Sequence, residues 1–114
     1  IWSRLAKTRA NLDQILTTLS ASNIPVLLAG MKAPGNWGDA YVKAFDAIYP
    51  ELAAKHGAAL YPFFLEGVAL NPKLVLADGM HPTAEGVAEI VKRILPNVEA
   101  LIAKAQAHKA AAKN

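Results

Sequence analysis

Asp78 and His81, in the stretch ADGMHPTAEG at 77–86, form the pair in this sequence best suited to chemistry. A histidine that takes up and returns a proton needs its second ring nitrogen held by an acceptor. The acceptor fixes the tautomer and steadies the imidazolium as it forms. An aspartate three residues earlier, on a tight loop through Gly79, can fold its carboxylate back onto that ring. The same spacing also suits a plain Asp-Gly turn that enters a helix with an exposed histidine, and so short a motif has many accidental matches. A base with an orienting acid calls for a nucleophile. The serines are Ser3, Ser20 and Ser22, one before a helix and two at a helix end. None stands on a strand-to-helix turn beside glycines, and no G-x-S-x-G occurs. On its own residues the chain offers a base and an orienter with no hydroxyl to activate.

Other chemistries find less support. There is no cysteine, which removes a thiol nucleophile, a disulfide framework and cysteine-type zinc sites. His56, His81 and His108 are far apart in unlike contexts, and neither H-E-x-x-H nor H-x-x-E-H occurs, so no metal site is expected. His56 reads as a helix-end residue whose charge complements the dipole. Without G-x-G-x-x-G or a P-loop, nucleotide binding has no basis, and no cofactor is expected. The formal charge of +3 is a property of the tail. Lys104, Lys109 and Lys113 raise the Lys and Arg count to 12, and the other 9 balance 9 acids. No basic stripe is interleaved with aromatics, so a nucleic-acid partner is not expected.

The elements that must position Asp78 and His81 follow from apolar periodicity. Residues 8–22 place Leu12, Ile15, Leu16 and Leu19 on one face, with Arg9, Asp13 and Gln14 opposite, and predict a helix over about 7–21. The run NIPVLLAGM at 23–31 is apolar on both faces, as a buried parallel strand is. Its longest apolar part, Ile24–Gly30, is too short to span a bilayer. KAPGNWGDAY at 32–41 is a loop, with Asp39 placed to cap the next helix. A helix over 40–57 carries Val42, Phe45, Ile48, Tyr49 and Leu52, with a kink or restart expected at Pro50 and Gly57 closing it. AALYPFF at 58–64 is the second buried strand and its exit, with Phe63 expected in the core. The long segment 65–80 is irregular, with room for one helical turn. Pro82 suits the first position of a final helix, which runs on through Pro96 with a kink or restart there. The Ala/Lys-rich tail at 103–114 is a fraying helix end or an appendage.

Helices alternate with buried strands, which is the α/β pattern of a doubly wound domain. Two strands apolar on both faces cannot flank each other completely, so an apolar strand edge is left over. The expectation is a C-terminal half-domain whose missing strands come from elsewhere, and the first residue, Ile1, points the same way.

TRANLDQIL, PVLLAGMKAPGNWGDAYVKAFDAIYPELA, LYPFFLEGV and DGMHPTAEGV, taken in order, resemble the SGNH (GDSL) hydrolases, most closely the bacterial arylesterase and thioesterase I/lysophospholipase type. The resemblance covers nearly all of 8–102. It implies the C-terminal part of a flavodoxin-like α/β/α sandwich on a parallel sheet, whose fourth and fifth strands match 24–30 and 58–62. It implies that Asp78 and His81 are acid and base of a Ser-His-Asp triad. By resemblance, Pro34, Asn36, Trp37 and Leu65 border an acyl pocket. The family's N-terminal serine block and the glycine and asparagine blocks of its oxyanion hole have no counterpart here. The implied partners are an N-terminal fragment of the same gene product bearing the serine, and a small acyl ester or thioester. The implied place is periplasmic or secreted. Without its companion the chain is expected to be inactive. The alternatives are a non-catalytic half-domain that self-assembles through its open strand edge, and an acyl carrier without chemistry.

Overall fold

The structure is a computed structural model and describes residues 2–112. Its element order is α1 (Trp2–Ala21), β1 (Leu27–Ala29), a 3-10 turn (Gly35–Trp37), α2 (Asp39–His56), β2 (Ala59–Tyr61) and α3 (Ala84–Ala112). The two strands are parallel, with Leu28 opposite Leu60. Side chains alternate across a strand, and Leu28 and Leu60 join Leu16, Ile48 and Leu52 in one core beneath α1 and α2. Helix α3 packs on both strands from the other face, where Tyr61, Val68 and Ile90 are buried. The result is helix, sheet, helix in three layers around a two-stranded ribbon, the α/β architecture that the patterning implies.

Helix α1 begins at Trp2, earlier than about residue 7, because its buried stripe extends back to Leu5 and Trp2 meets Tyr41 edge-on at 5.6 Å between ring centroids. Part of the α1 face opposite the apolar stripe is in contact with α2. Arg9 bonds Glu51 at 2.7 Å, and Asp13 accepts from Lys55 at 3.0 Å and pairs with the His56 ring at 2.5 Å. These residues close the α1–α2 seam, while Gln14 stays exposed. His56 thus does more than complement a helix end.

Gly57 closes α2 in the left-handed conformation, φ 64°, its N–H reaching the Ala53 and Ala54 carbonyls. Asp39 does not cap α2. Gly38 holds that position without a side-chain bond, and Asp39 is the first helical residue, where its charge suits the dipole. Neither Pro50 nor Pro96 interrupts its helix. Both are exposed, so the carbonyl each leaves unbonded four residues back can turn to water. Pro82 lies outside α3 and not at its first position. Thr83 is the cap, its Oγ1 accepting the Gly86 N–H at 3.1 Å. The tail is helical through Ala112, and Lys113 lies outside the described residues.

The strands are shorter and less buried than their patterns imply. In β1 only Leu28 is buried. Ala59 bonds back to the Val26 carbonyl and Gly30 donates to the Tyr61 carbonyl at 2.8 Å, so the even-numbered residues of β1 face β2. Leu27 and Ala29 turn their backbone groups to the opposite edge, which is unpaired among the described residues. On α3, Val87, Val91, Leu95 and Ile102 form an exposed apolar stripe. The molecule measures 52 × 35 × 16 Å with a radius of gyration of 16.2 Å, against about 13 Å for a globular chain of this length. Among the described residues no helix is long and apolar enough to cross a membrane.

Candidate active site

At the carboxyl ends of the strands the backbones of the two crossings meet closely. The Gly30 N–H bonds the Tyr61 carbonyl, and the Gly30 carbonyl accepts from Phe64 at 2.9 Å. A β-carbon on Gly30 would stand 2.3 Å from the Pro62 oxygen, so only glycine permits this approach. From there the chain makes one helical turn, with Val68 and Ala69 both donating to the Leu65 carbonyl, and a second turn starting at Asn71. It then closes a small antiparallel bridge between Val75 and Pro82. Leu76 donates to the His81 carbonyl at 2.7 Å, Gly79 to the Leu76 carbonyl at 2.9 Å, and Thr83 to the Leu74 carbonyl at 2.9 Å. Gly79 takes φ 68° in this turn.

The turn aims Asp78 at His81. Oδ1 accepts the Met80 and His81 N–H groups at 2.9 and 3.0 Å, and Oδ2 meets His81 Nδ1 at 2.5 Å. The imidazole hydrogen bond, followed by the two backbone N–H bonds, pulls the Asp78 carboxyl down from 3.8 to about 2. An ionised carboxylate only accepts, so Nδ1 carries the proton, and in the neutral ring Nε2 keeps its lone pair. Among the described residues nothing bonds Nε2, and the His81 side chain is 70% exposed. The arrangement can therefore accept a proton at Nε2 from a group brought in from outside.

Beside this turn lies an apolar cleft of about 400 Å³. Of the residues expected to border a pocket, Pro34, Trp37 and Leu65 line it together, and Asn36 does not. Asn36 is exposed in the same 3-10 turn as Trp37. Trp37 is held by Tyr41 at 5.4 Å between ring centroids, and Tyr41 stacks in turn on Phe45 at 6.2 Å. The loop is tied down by Asp46, whose Oδ1 accepts the Ala33 N–H at 2.8 Å. The sequence reading missed Phe45, Val75 and Met80 among the lining residues. Phe45 belongs to the apolar stripe of α2 and reads as core. Met80 carried a usable signal, since it is the large apolar residue inside the Asp78–His81 turn. Phe63, expected in the core, is half-buried with Lys32 Nζ 5.2 Å from its ring centroid.

The serines stand elsewhere. Ser20 lines a separate small cavity with His56 and His108 at the amino ends of the strands, Ser22 follows α1, and Ser3 is in the first turn of α1. Among the described residues none of them bonds His81.

No protein-family model matches the chain. Curated relatives do. The chain is 34% identical over 97 residues to esterase TesA of Pseudomonas aeruginosa, a match over 85% of this chain and 48% of the relative. It is 36% identical over 96 residues to thioesterase 1/protease 1/lysophospholipase L1 of Escherichia coli K12, over 84% of this chain and 46% of the relative. It therefore spans about half the length of these relatives. Among solved structures, the crystal structure of TesA superposes with a TM-score of 0.78 at 34% identity, covering 85% of this chain and 54% of that one. AlinE4, an SGNH-hydrolase family esterase, matches at 49% identity with a TM-score of 0.62, covering 83% of this chain and 50% of that one.

Proposed function

This chain belongs to the SGNH hydrolase family, and from that premise we propose that it carries the general base of a serine-dependent ester or thioester hydrolase. The observation behind the proposal is the 2.5 Å contact between Asp78 Oδ2 and His81 Nδ1, closed within one turn and leaving Nε2 open. His81 takes the proton of a serine hydroxyl as that oxygen attacks the acyl carbon. It returns the proton to the departing alcohol or thiol, then repeats the exchange with water to release the acid. Asp78 holds the imidazole in the productive tautomer throughout. Pro34, Trp37 and Leu65 wall the cleft that takes the acyl chain. The names of the relatives, esterase and thioesterase, support the reaction class.

The serine and the oxyanion donors come, in this reading, from an N-terminal segment of the same gene product that covers the open edge of β1 and the apolar stripe on α3. Alone the chain lacks the donors that supply much of the rate, and it is inactive. A periplasmic or secreted location follows from family likeness only. A fluorophosphonate probe followed by denaturing mass spectrometry tests the proposal on protein from its natural source. The expected result is a labelled serine on a segment outside residues 1–114, with turnover abolished by His81→Ala. Label on Ser3, Ser20 or Ser22, or turnover indifferent to His81→Ala, would overturn it.

The unpaired edge at Leu27 and Ala29 also favours a second reading, a half-domain that pairs with a copy of itself. That reading predicts a dimer by sedimentation and no probe-reactive serine in any associated chain.

A further inference from the structure

The lining of the cleft contains one charged side chain, Lys32. The rest is apolar or backbone, with Met31, Trp37, Phe45, Leu65 and Met80 contributing most of the large side chains. Lys32 has no salt bridge among the described residues and sits over the face of Phe63, 5.2 Å from the ring centroid. Such a contact is weak at an exposed site, so the ammonium is held loosely. Two acids of the surrounding elements make other bonds. Asp46 accepts the Ala33 N–H, and Asp78 holds the His81 ring. A groove that is apolar along its length and carries one uncommitted cation at its rim complements an amphiphile with an apolar chain and an anionic head.

We propose that Lys32 is a specificity-determining residue that makes the cleft select acyl compounds bearing anionic oxygens next to the chain, either a carboxylate or a phosphate. The proposal rests on reading the cleft as the acyl site, and it does not depend on the serine or on turnover. The apolar chain displaces water from Met31, Trp37 and Leu65. The head reaches Lys32, whose long flexible stem lets Nζ leave Phe63 for it.

Calorimetric titration of the full chain with dodecanoate, dodecyl phosphate and the neutral dodecyl maltoside, each below its micelle concentration, tests this. The expected result is binding of all three, with either anion roughly three to five times tighter than the neutral compound, as for a partly exposed ion pair. That preference falls as salt is raised. Lys32→Met abolishes the preference and leaves the neutral compound unaffected, whereas Lys32→Arg keeps it. A preference for one anion over the other identifies the head as carboxylate or phosphate. Equal binding of all three, or a preference that survives Lys32→Met, overturns the role of Lys32 and leaves the acyl cleft standing. Failure of all three to bind overturns both.

Discussion

Gly86 lies so close to Leu74 that a β-carbon built on it would stand 2.2 Å from the Leu74 carbonyl oxygen and 3.1 Å from Pro82. The first turn of α3 is thereby pressed against the two ends of the segment that carries Asp78 and His81. Gly86→Ala must part them. An alanine gains about 1 kcal/mol of helix propensity, but overpacking against backbone costs about 1–3 kcal/mol. The expected outcome is a net loss of stability, with a lower urea midpoint and a weaker His81 Nδ1 proton signal in the NMR spectrum. An unchanged midpoint and signal would mean that the contact relaxes freely.

The Asp78 carboxyl is pulled down to about 2 by the His81 ring and two backbone N–H groups. A depressed acid stabilises the folded turn above its unfolded value of 3.8, and that contribution is lost as pH falls through about 2. Following the Asp78 carboxyl carbon by NMR should give a midpoint near 2, and Asp78→Asn should remove the acid-dependent change in the Met80 and His81 amide shifts. A midpoint at an ordinary carboxylate value would contradict the bonding described.

In the hydrolase proposed above, with its serine-bearing segment present, Asp78→Asn should lower kcat by about two to four orders of magnitude, since an amide can hold the ring in the wrong tautomer. KM should hardly move, because Asp78 faces the ring and not the cleft. Steady-state kinetics on one acyl ester decides this, and a change confined to KM would remove Asp78 from the chemistry.

Trp37→Ala should act on binding. Trp37 is 51% exposed and leans on Tyr41, so its loss costs the fold little more than one aromatic contact, about 0.5–1.5 kcal/mol. KM for a long acyl ester should rise roughly tenfold, with kcat nearly unchanged. A KM that stays put would place the acyl chain away from this wall.

At the opposite end of the molecule, Asp13 is held below the ordinary carboxylate range by its bonds to His56 and then Lys55. Asp13→Ala should lower the urea midpoint at neutral pH. The difference from the parent should shrink as pH falls below 3.8, where the parent loses the same charge. Midpoints that differ equally at neutral and acid pH would assign the effect to something other than this carboxylate.

Much of the scaffold was legible because its signals are local and redundant. The stripes Leu12–Leu19 and Val42–Leu52 give the helices, and the uninterrupted run around Leu28 gives the strand. Cap positions were read less well. Asp39 and Pro82 both suit a helix start by residue type, yet Gly38 and Thr83 hold those places, because the preceding loops enter at angles set by Gly38 φ 93° and the Val75–Pro82 bridge. The partners of Asp13 and Arg9 could not be read, because helical spacing says which face is apolar and nothing of what meets its margins. At the candidate site, a spacing of three allowed the Asp78–His81 pairing without choosing it over a plain Asp-Gly turn, and only the family resemblance favoured it. The resemblance also named part of the cleft wall, but not Phe45 or Met80, which come to the same cleft from elements far apart in sequence.

The bonds that shape the Asp78–His81 turn are all drawn from residues 74–86. The Asp78–His81 pairing is therefore complete within this chain and needs nothing docked on the open edge of β1. If the proposed serine-bearing segment docks there, mixing the two should start turnover at a rate set by encounter, first order in each component, with no slow phase for rearranging the histidine. On the function proposed above, the histidine is ready at all times, and hydrolysis would be a direct readout of whether the two parts have met.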